Sequence, residues 1–228
     1  MFSMSHAKQI SIFGFYNFKT TAQKSFSEYI VQSIVYCFSM AWIIVGLGNP
    51  GYEYEGTRHN TGRMAVEYFA KTAKLSEWRE DAKSKSLVSR GLLGKTLIAL
   101  ILPNTFMNKS GAAVAVAMRA SKIKKDALFV VHDDTDLPLG RGKLSYGRNS
   151  AGHKGVESVM RALKTKDFWR MRIGVAGPRD MPAEKIVLRA FTPNEKRAVK
   201  KIITASIEAL ITSISEGTQT AMNIYNNT

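Results

Sequence analysis

W-I-I-V-G-L-G-N-P-G-Y-E-Y-E-G-T-R-H-N-T-G, residues 42–62, is the stretch that decides how this chain folds. Trp42 to Val45 is a short apolar run rich in β-branched residues and reads as a buried strand. Gly46, Gly48, Pro50 and Gly51 then turn the backbone sharply. A polar segment ending in Arg58-His59-Asn60 leads into a helical pattern. Strand end, tight loop and helix entry are the parts that α/β proteins use to hold a ligand beyond the carboxyl ends of their strands. The loop offers an amide (Asn49), a phenol (Tyr54) and an imidazole (His59), and of these only an imidazole titrates near neutral pH without help.

Working outward, strands and helices alternate. Thr61 to Lys74 carries Met64, Val66, Phe69 and Ala73 at helical spacing. Ser84–Leu92 and Thr96–Leu102 read as two strands joined at Leu93-Gly94-Lys95. Pro103 to Asn108 is a loop, after which Ser110 is placed to cap an Ala/Val-rich helix reaching Ala120. Ala127 to His132 is another buried strand, running into Asp133-Asp134-Thr135-Asp136. Lys143–Tyr146 is a short strand, followed by a Gly147–Gly152 loop and a helix from about Lys154 to Leu163. Met171 to Ala176 is the last core strand. Thr192-Pro193-Asn194-Glu195 has threonine at the cap, proline first in the helix and glutamate at the capping-box position. Gly217 is placed to end that helix. The expected fold is α/β: a single three-layer domain, residues 42–228, with a twisted mixed, mostly parallel sheet flanked by helices.

Residues 1–41 differ in character. They hold Lys8, Lys19 and Lys24 against one acid, Glu28, and are rich in hydroxyls and aromatics. This N-terminal extension resembles an organelle transit peptide, although it lacks arginine, and a disordered tail or a start at Met40 are the alternatives. A mitochondrial location is expected, otherwise a cytoplasmic one. The uncharged run Tyr29–Leu47 is long enough to suggest a membrane span. Gln32, Ser33 and Ser39 interrupt it and its end is the first strand, so no membrane anchor is expected.

The 228 residues carry 33 Lys and Arg against 18 acidic residues, a net charge of +15, with 45% apolar residues for a core. That excess points to a polyanionic partner, nucleic acid before acidic protein. The single cysteine, Cys37, excludes an internal disulfide and any multi-cysteine zinc site.

Polar clusters follow several core strands: Asn49 to His59, Met107-Asn108 and Asp133, with Gly152-His153-Lys154-Gly155 entering a helix. In a parallel sheet these strand ends converge on one rim. A histidine, an aspartate and two asparagines there suit hydrolysis. The carboxylate fixes the imidazole's tautomer, the imidazole takes a proton from water, and an amide steadies the water or an oxyanion. Gly46-x-Gly48-x-x-Gly51 also fits the dinucleotide fingerprint, which would make a redox enzyme. Pro50 in the turn, and the absence of a strand-end acid about twenty residues on, oppose it.

Taken in order, G-L-G-N-P-G…Y-E-G-T-R-H-N-T-G, P-N-T-F-M-N-K-S-G, V-V-H-D-D-T-D-L-P-L-G and G-H-K-G resemble the bacterial-type peptidyl-tRNA hydrolases, over about Trp42 to Gly217. The resemblance implies hydrolysis of the ester joining a peptide to the 3′ end of tRNA, recycling tRNA from stalled translation, by a monomer without metal or organic cofactor. It implies His59 as general base and Asp133 as the residue orienting it. Asn49 and Asn108 would hold peptide or water, Tyr54 and Met107 would line the pocket, and His153 and Lys154 would contact substrate. Lys143, Arg148 and Arg172 would meet tRNA phosphates. Lys164, Lys166 and Arg170, and the cations from Lys196 to Lys201, are further candidates for the footprint. Lys154 stands where the family has asparagine, and an ammonium cannot accept a hydrogen bond, though it attracts phosphate or an oxyanion. Ser145 stands where many relatives place a basic residue. The alternative is an RNA-binding protein on the same scaffold with weak or no hydrolase activity, like relatives that assist organelle splicing.

Overall fold

The computed structural model describes residues 42–177 and 181–226. The presequence reading of residues 1–41, and most of the Tyr29–Leu47 run, lie outside them. Among the described residues no helix is long and apolar enough to cross a membrane.

Three largely apolar runs and one mixed segment form adjacent parallel strands: β1 (Trp42–Gly46), β4 (Thr96–Pro103) and β5 (Leu128–Asp134), with β7 (Trp169–Gly174) carrying Arg170 and Arg172. Continuous apolar sequence suits strands covered on both faces. Antiparallel strands flank them: β2 (Arg79–Asp81) and β3 (Ser86–Leu93) on one side, β6 (Gly142–Tyr146) on the other, giving the order β2-β3-β4-β1-β5-β7-β6. The expected mixed sheet is present, with parallel pairing confined to its centre. The β3–β4 hairpin closes on Gly94-Lys95, where Gly94 takes φ +60°, a conformation open to glycine. β2 has no counterpart in the sequence reading, because three residues are too few for periodicity to register.

Alternation along β1 divides the core. Ile44 packs with α1 (Thr61–Thr72) and with the long C-terminal helix. Ile43 and Val45 pack with α2 (Ser110–Ser121) and α3 (Lys154–Leu163). The completing helices are α4 (Ala183–Ile186), α5 (Pro193–Ser215) and α6 (Thr218–Tyr225). Val199, Ile203, Ile207 and Leu210 of α5 are buried, the stripe read from sequence. The Thr192–Glu195 capping box is made, and Gly217 at φ +99° separates α5 from α6.

One cap is different from expectation. Ser110 is the first residue of α2 with Lys109 at the cap; its hydroxyl is buried without a partner, and no side chain of the segment caps the helix. Instead Ser158 of α3 accepts the Gly111 N–H at 3.0 Å. The cap is supplied across a helix interface, which local sequence cannot reveal.

Because β4, β1, β5 and β7 run the same way, their carboxyl ends share one rim. The loop after β1, the loop after β4 and the acidic end of β5 all open there.

Candidate active site

Asp133 is the last but one residue of β5, and its carboxylate lies between two imidazoles. His59 Nδ1 is 3.0 and 2.9 Å from its two oxygens. His153 Nε2 is 2.8 Å from Oδ1. Each histidine arrives on a different device. His59 sits in a 3-10 turn, Arg58–Asn60, that opens directly into α1. That turn is pressed onto the sheet at Gly62, where a Cβ would stand 2.2 Å from the Val131 carbonyl oxygen. His153 is the N-cap of α3, its Nδ1 accepting the N–H groups of Gly155 and Val156 at 3.1 and 3.2 Å.

These bonds assign the protons. A nitrogen that accepts two backbone donors carries a lone pair, so His153 holds its proton on Nε2 and donates it to Asp133. Burial alone would raise the Asp133 pKa, but the electrostatic pull and hydrogen bond of His153, then those of His59, hold it far below the usual carboxylate range. An ionised carboxylate only accepts. His59 therefore donates through Nδ1 and keeps its lone pair on Nε2, on the far side of the ring.

That ring belongs to the wall of a cavity of about 400 Å³ formed by His59, Asp133 to Thr135, Ser150 to Lys154, and Ala183, Glu184, Val187 and Leu188. The arrangement can take a proton from a molecule in the cavity and return it. His59, Asp133 and His153 bring three ligating atoms within 4.8 Å of one another. A metal fits them poorly, since His153 would need its lone pair on Nε2 while two backbone donors already point at Nδ1.

A family model described as peptidyl-tRNA hydrolase matches residues 43–228. The chain belongs to the peptidyl-tRNA hydrolase family. It is 39% identical over 186 residues to the peptidyl-tRNA hydrolase of Thermodesulfovibrio yellowstonii, covering 81% of this chain and 98% of that one. The Aquifex aeolicus enzyme is 37% identical over 81% of this chain and 95% of its own. The crystal structure of peptidyl-tRNA hydrolase from Acinetobacter baumannii matches with TM-score 0.75 and 31% identity, covering 82% of this chain and 94% of that one.

The residues expected from the family resemblance do not all gather around His59. Lys154, first residue of α3, is exposed at the cavity wall. Asn49 lines a neighbouring polar cavity of about 490 Å³ with Glu55, Arg63 and Glu67. Its Oδ1 accepts the Met107 N–H at 2.8 Å, and Asn60 brackets its backbone with two hydrogen bonds. Asn49 is thus a brace between the loops after β1 and β4. Met107 is buried beneath Gly155, whose Cβ, if present, would be 2.4 Å from the Met107 sulfur. Tyr54 stands edge-on to the exposed Phe106 at 6.4 Å, and Asn108 is exposed; neither lines the two cavities.

The basic residues divide as well. Lys143 and Arg148 are exposed, and Lys143 sits opposite Arg172 in the β6–β7 ladder. Arg172 donates through Nε to Asp134 at 2.6 Å. Arg170, a footprint candidate by sequence, is only 2% exposed and cannot meet RNA there. Its Nη1 instead donates to the Asn149 carbonyl at 2.9 Å, holding the loop ahead of His153. Burial, then the positive charge of Arg172, brings its pKa down to about 10. Ser145, its partner in the ladder, is buried too.

Two features escape a reading of the sequence. Its patterns assign no element to residues 177–191, yet Ala183–Leu188 forms a cavity wall, and Pro182 at the α4 cap is an available signal. Arg58 stands beside His59 with no motif to single it out. It is buried, donating to the Ala190 carbonyl at 2.9 Å and to Glu195 at 2.5 Å, with its guanidinium 4.8 Å above the Phe191 ring. Nothing in the spacing of Arg58 and Glu195, 137 residues apart, announces that contact.

The dinucleotide reading fails on geometry. After Gly51 the chain makes two 3-10 turns and enters α1 only at Thr61, so no helix N-terminus meets the glycine turn where a pyrophosphate would sit.

Proposed function

We propose that this chain hydrolyses the ester of peptidyl-tRNA, releasing the peptide as a carboxylic acid and the tRNA with a free 3′-terminal ribose hydroxyl. The hydrogen-bonded series His153–Asp133–His59, ending in a lone pair on His59 Nε2 at a cavity, carries the reading. Water loses a proton to that nitrogen as its oxygen attacks the ester carbonyl. The tetrahedral oxyanion lies within a wall that includes the Lys154 ammonium, which stabilises the developing charge. Collapse breaks the bond to the ribose oxygen, and the His59 imidazolium returns the proton to that leaving group. Asp133 compensates the imidazolium, and His153 fixes Asp133. Asn49 and Met107 serve by holding the strand-end loops in place. Lys143, Arg148 and the terminal nitrogens of Arg172 meet phosphates near the 3′ end.

The intact base–carboxylate pair favours an enzyme over a chemically silent RNA-binding relative. The test is release of an N-blocked amino acid from tRNA. His59→Ala is expected to lower kcat by about 10²–10⁴-fold with an unchanged fold, as loss of a general base does; equal rates in wild type and variant would end the reading. The extension at residues 1–41 serves as a mitochondrial presequence in this proposal. Imaging a reporter fused with and without those residues tests that independently, and sedimentation tests the expected monomer.

A further inference from the structure

We propose that the first two turns of α5, with the strap leading into them, form a second docking surface for RNA backbone. This surface would hold the body of the tRNA while its 3′ end occupies the His59 cavity. The inference rests on the peptidyl-tRNA reading. Residues 184–201 contain Lys185, Arg189, Lys196, Arg197, Lys200 and Lys201 against two acids, Glu184 and Glu195. All six cations are exposed, and none meets a carboxylate among the described residues. Glu195 is already engaged by Arg58 and by the Thr192 N–H.

The placement is locally unfavourable. Cations at a helix N-terminus oppose the dipole, and Lys196/Lys200 and Arg197/Lys201 are like charges four residues apart on one face. A helix stabilised for its own sake would carry acids there, as the Thr192–Glu195 box does at one position. An anion laid across the patch turns both costs into attraction. Between Glu184 and Lys201 the large apolar side chain exposed is Leu188, at the cavity wall, and none is exposed from Arg189 onward, so the surface suits a polyanion in solution better than a lipid face. Its position fits the larger substrate. The strap contributes Ala183 to Leu188 to the cavity wall, and α5 begins one arginine's reach from His59, at the Glu195–Arg58 pair.

The experiment compares an N-acetyl-aminoacyl ester on full-length tRNA with the same ester on a CCA-ended oligonucleotide too short to reach α5. The variant replaces Lys196, Arg197, Lys200 and Lys201 together by Gln. A control replaces four exposed lysines elsewhere, Lys71, Lys83, Lys95 and Lys124. On full-length tRNA the patch variant is expected to raise KM about tenfold or more near 0.1 M salt. It also flattens log(kcat/KM) against log salt by roughly 0.7–0.9 for each phosphate that the variant no longer neutralises. On the short ester it matches wild type, and its Tm is unchanged or higher. Equal impairment on both substrates, an unchanged salt slope, or the same flattening in the control would overturn the proposal. If wild type cleaves neither ester, the hydrolase reading fails on its own. The patch is then decided by binding of deacylated tRNA, which the variant must bind about tenfold more weakly. Preference of the patch for anionic vesicles over tRNA would also overturn it.

Discussion

Two walls face each other across one chemistry in this molecule, and they are secured in unlike ways. Ser150 to Lys154 is fixed from within: His153 caps α3 with one nitrogen and grips Asp133 with the other, while Arg170 holds the Asn149 carbonyl from beneath. Ala183 to Leu188 is hung from outside. Its anchors are backbone bonds from Arg58 to Arg189 and from His59 to Val187, at 3.0 and 2.8 Å, with the Arg58 side chain reaching past them to Glu195. A wall built on a strand end and a helix cap cannot move without unmaking the His153–Asp133–His59 series. A wall built on a strap meets His59 only through its backbone N–H, and so can shift with less effect on the Asp133–His153 pair. Chemistry is therefore placed on the rigid side, and the enclosure of the substrate on the adjustable one.

The sharpest way to break that contrast is Asp133→Asn. An amide cannot accept protons from both imidazoles with both of its ends, so one histidine loses its orientation. The expected loss in kcat is about 10²–10⁴-fold, with KM for peptidyl-tRNA little changed. A large rise in KM alone would mean that the rigid wall encloses substrate rather than tuning the base.

Arg58→Gln attacks the strap. It takes the cation from Glu195 and from above Phe191 and leaves the Ala190 carbonyl short of its side-chain donor. Thermal or denaturant unfolding is expected to show a loss of about 1–3 kcal/mol, below the range for a fully buried pair because Glu195 keeps access to solvent and the Thr192 N–H. Surviving protein assayed below its melting range is expected to show a raised KM with a smaller fall in kcat. Arg58→Lys, which keeps a charge but not the fork, falls between. A kcat effect as large as that of Asp133→Asn would erase the difference between the walls.

His153→Asn separates the two duties of a single side chain. Asparagine caps helices well, so the cap is kept, and the expected loss of stability of about 1–3 kcal/mol comes from the buried Asp133 carboxylate losing a donor. Asparagine cannot span from the cap to Asp133, and kcat is expected to fall on the order of tenfold as the carboxylate loses one of its donors. A loss of stability with kcat unchanged would show that the cap, not the link to Asp133, is what the histidine supplies.

How far sequence reaches into this design depends on where the partner lies. The strands at Trp42 and Ala127, the capping box at Thr192 and the His59–Asp133 pairing are legible, because each rests on local periodicity, local caps or the convergence of parallel strand ends. The Ser110 cap fails because a helix accepts help from Ser158, 47 residues away from Gly111. Arg170 reads as surface because it stands beside Lys164 and Lys166 ahead of the strand expected from Met171, whereas the strand begins at Trp169 and the loop at Asn149 folds over it. Asn49 and Met107 are neighbours of the site as expected but act as braces in the structure, a distinction that only hydrogen-bond partners make.

The smallest expected effect comes from His132, one residue ahead of Asp133. It is fully buried, with Nδ1 donating to the Asp133 carbonyl at 2.6 Å and its ring 4.7 Å from that of His153. Burial, then electrostatic opposition from the His153 ring, with the Arg170 cation adding to it, pushes its pKa well below the usual imidazole value despite the nearby Asp133 carboxylate. A histidine held neutral in the fold protonates first when unfolded. Its contribution is present above about pH 6.5 and declines as pH drops from there toward the depressed folded value. Asp133, also depressed, contributes above about pH 3.9 and declines only below it. The two limbs are thus separated on the pH axis. Tm measured from pH 7.5 down to 3 is expected to fall less steeply between about pH 6.5 and 4.5 in His132→Gln than in wild type, with the lower limb intact. Asp133→Asn is expected to do the reverse. Identical slopes for wild type and His132→Gln across the upper range would mean that the rigid wall tolerates a charged ring at its base, and that its stiffness comes from the α3 cap alone.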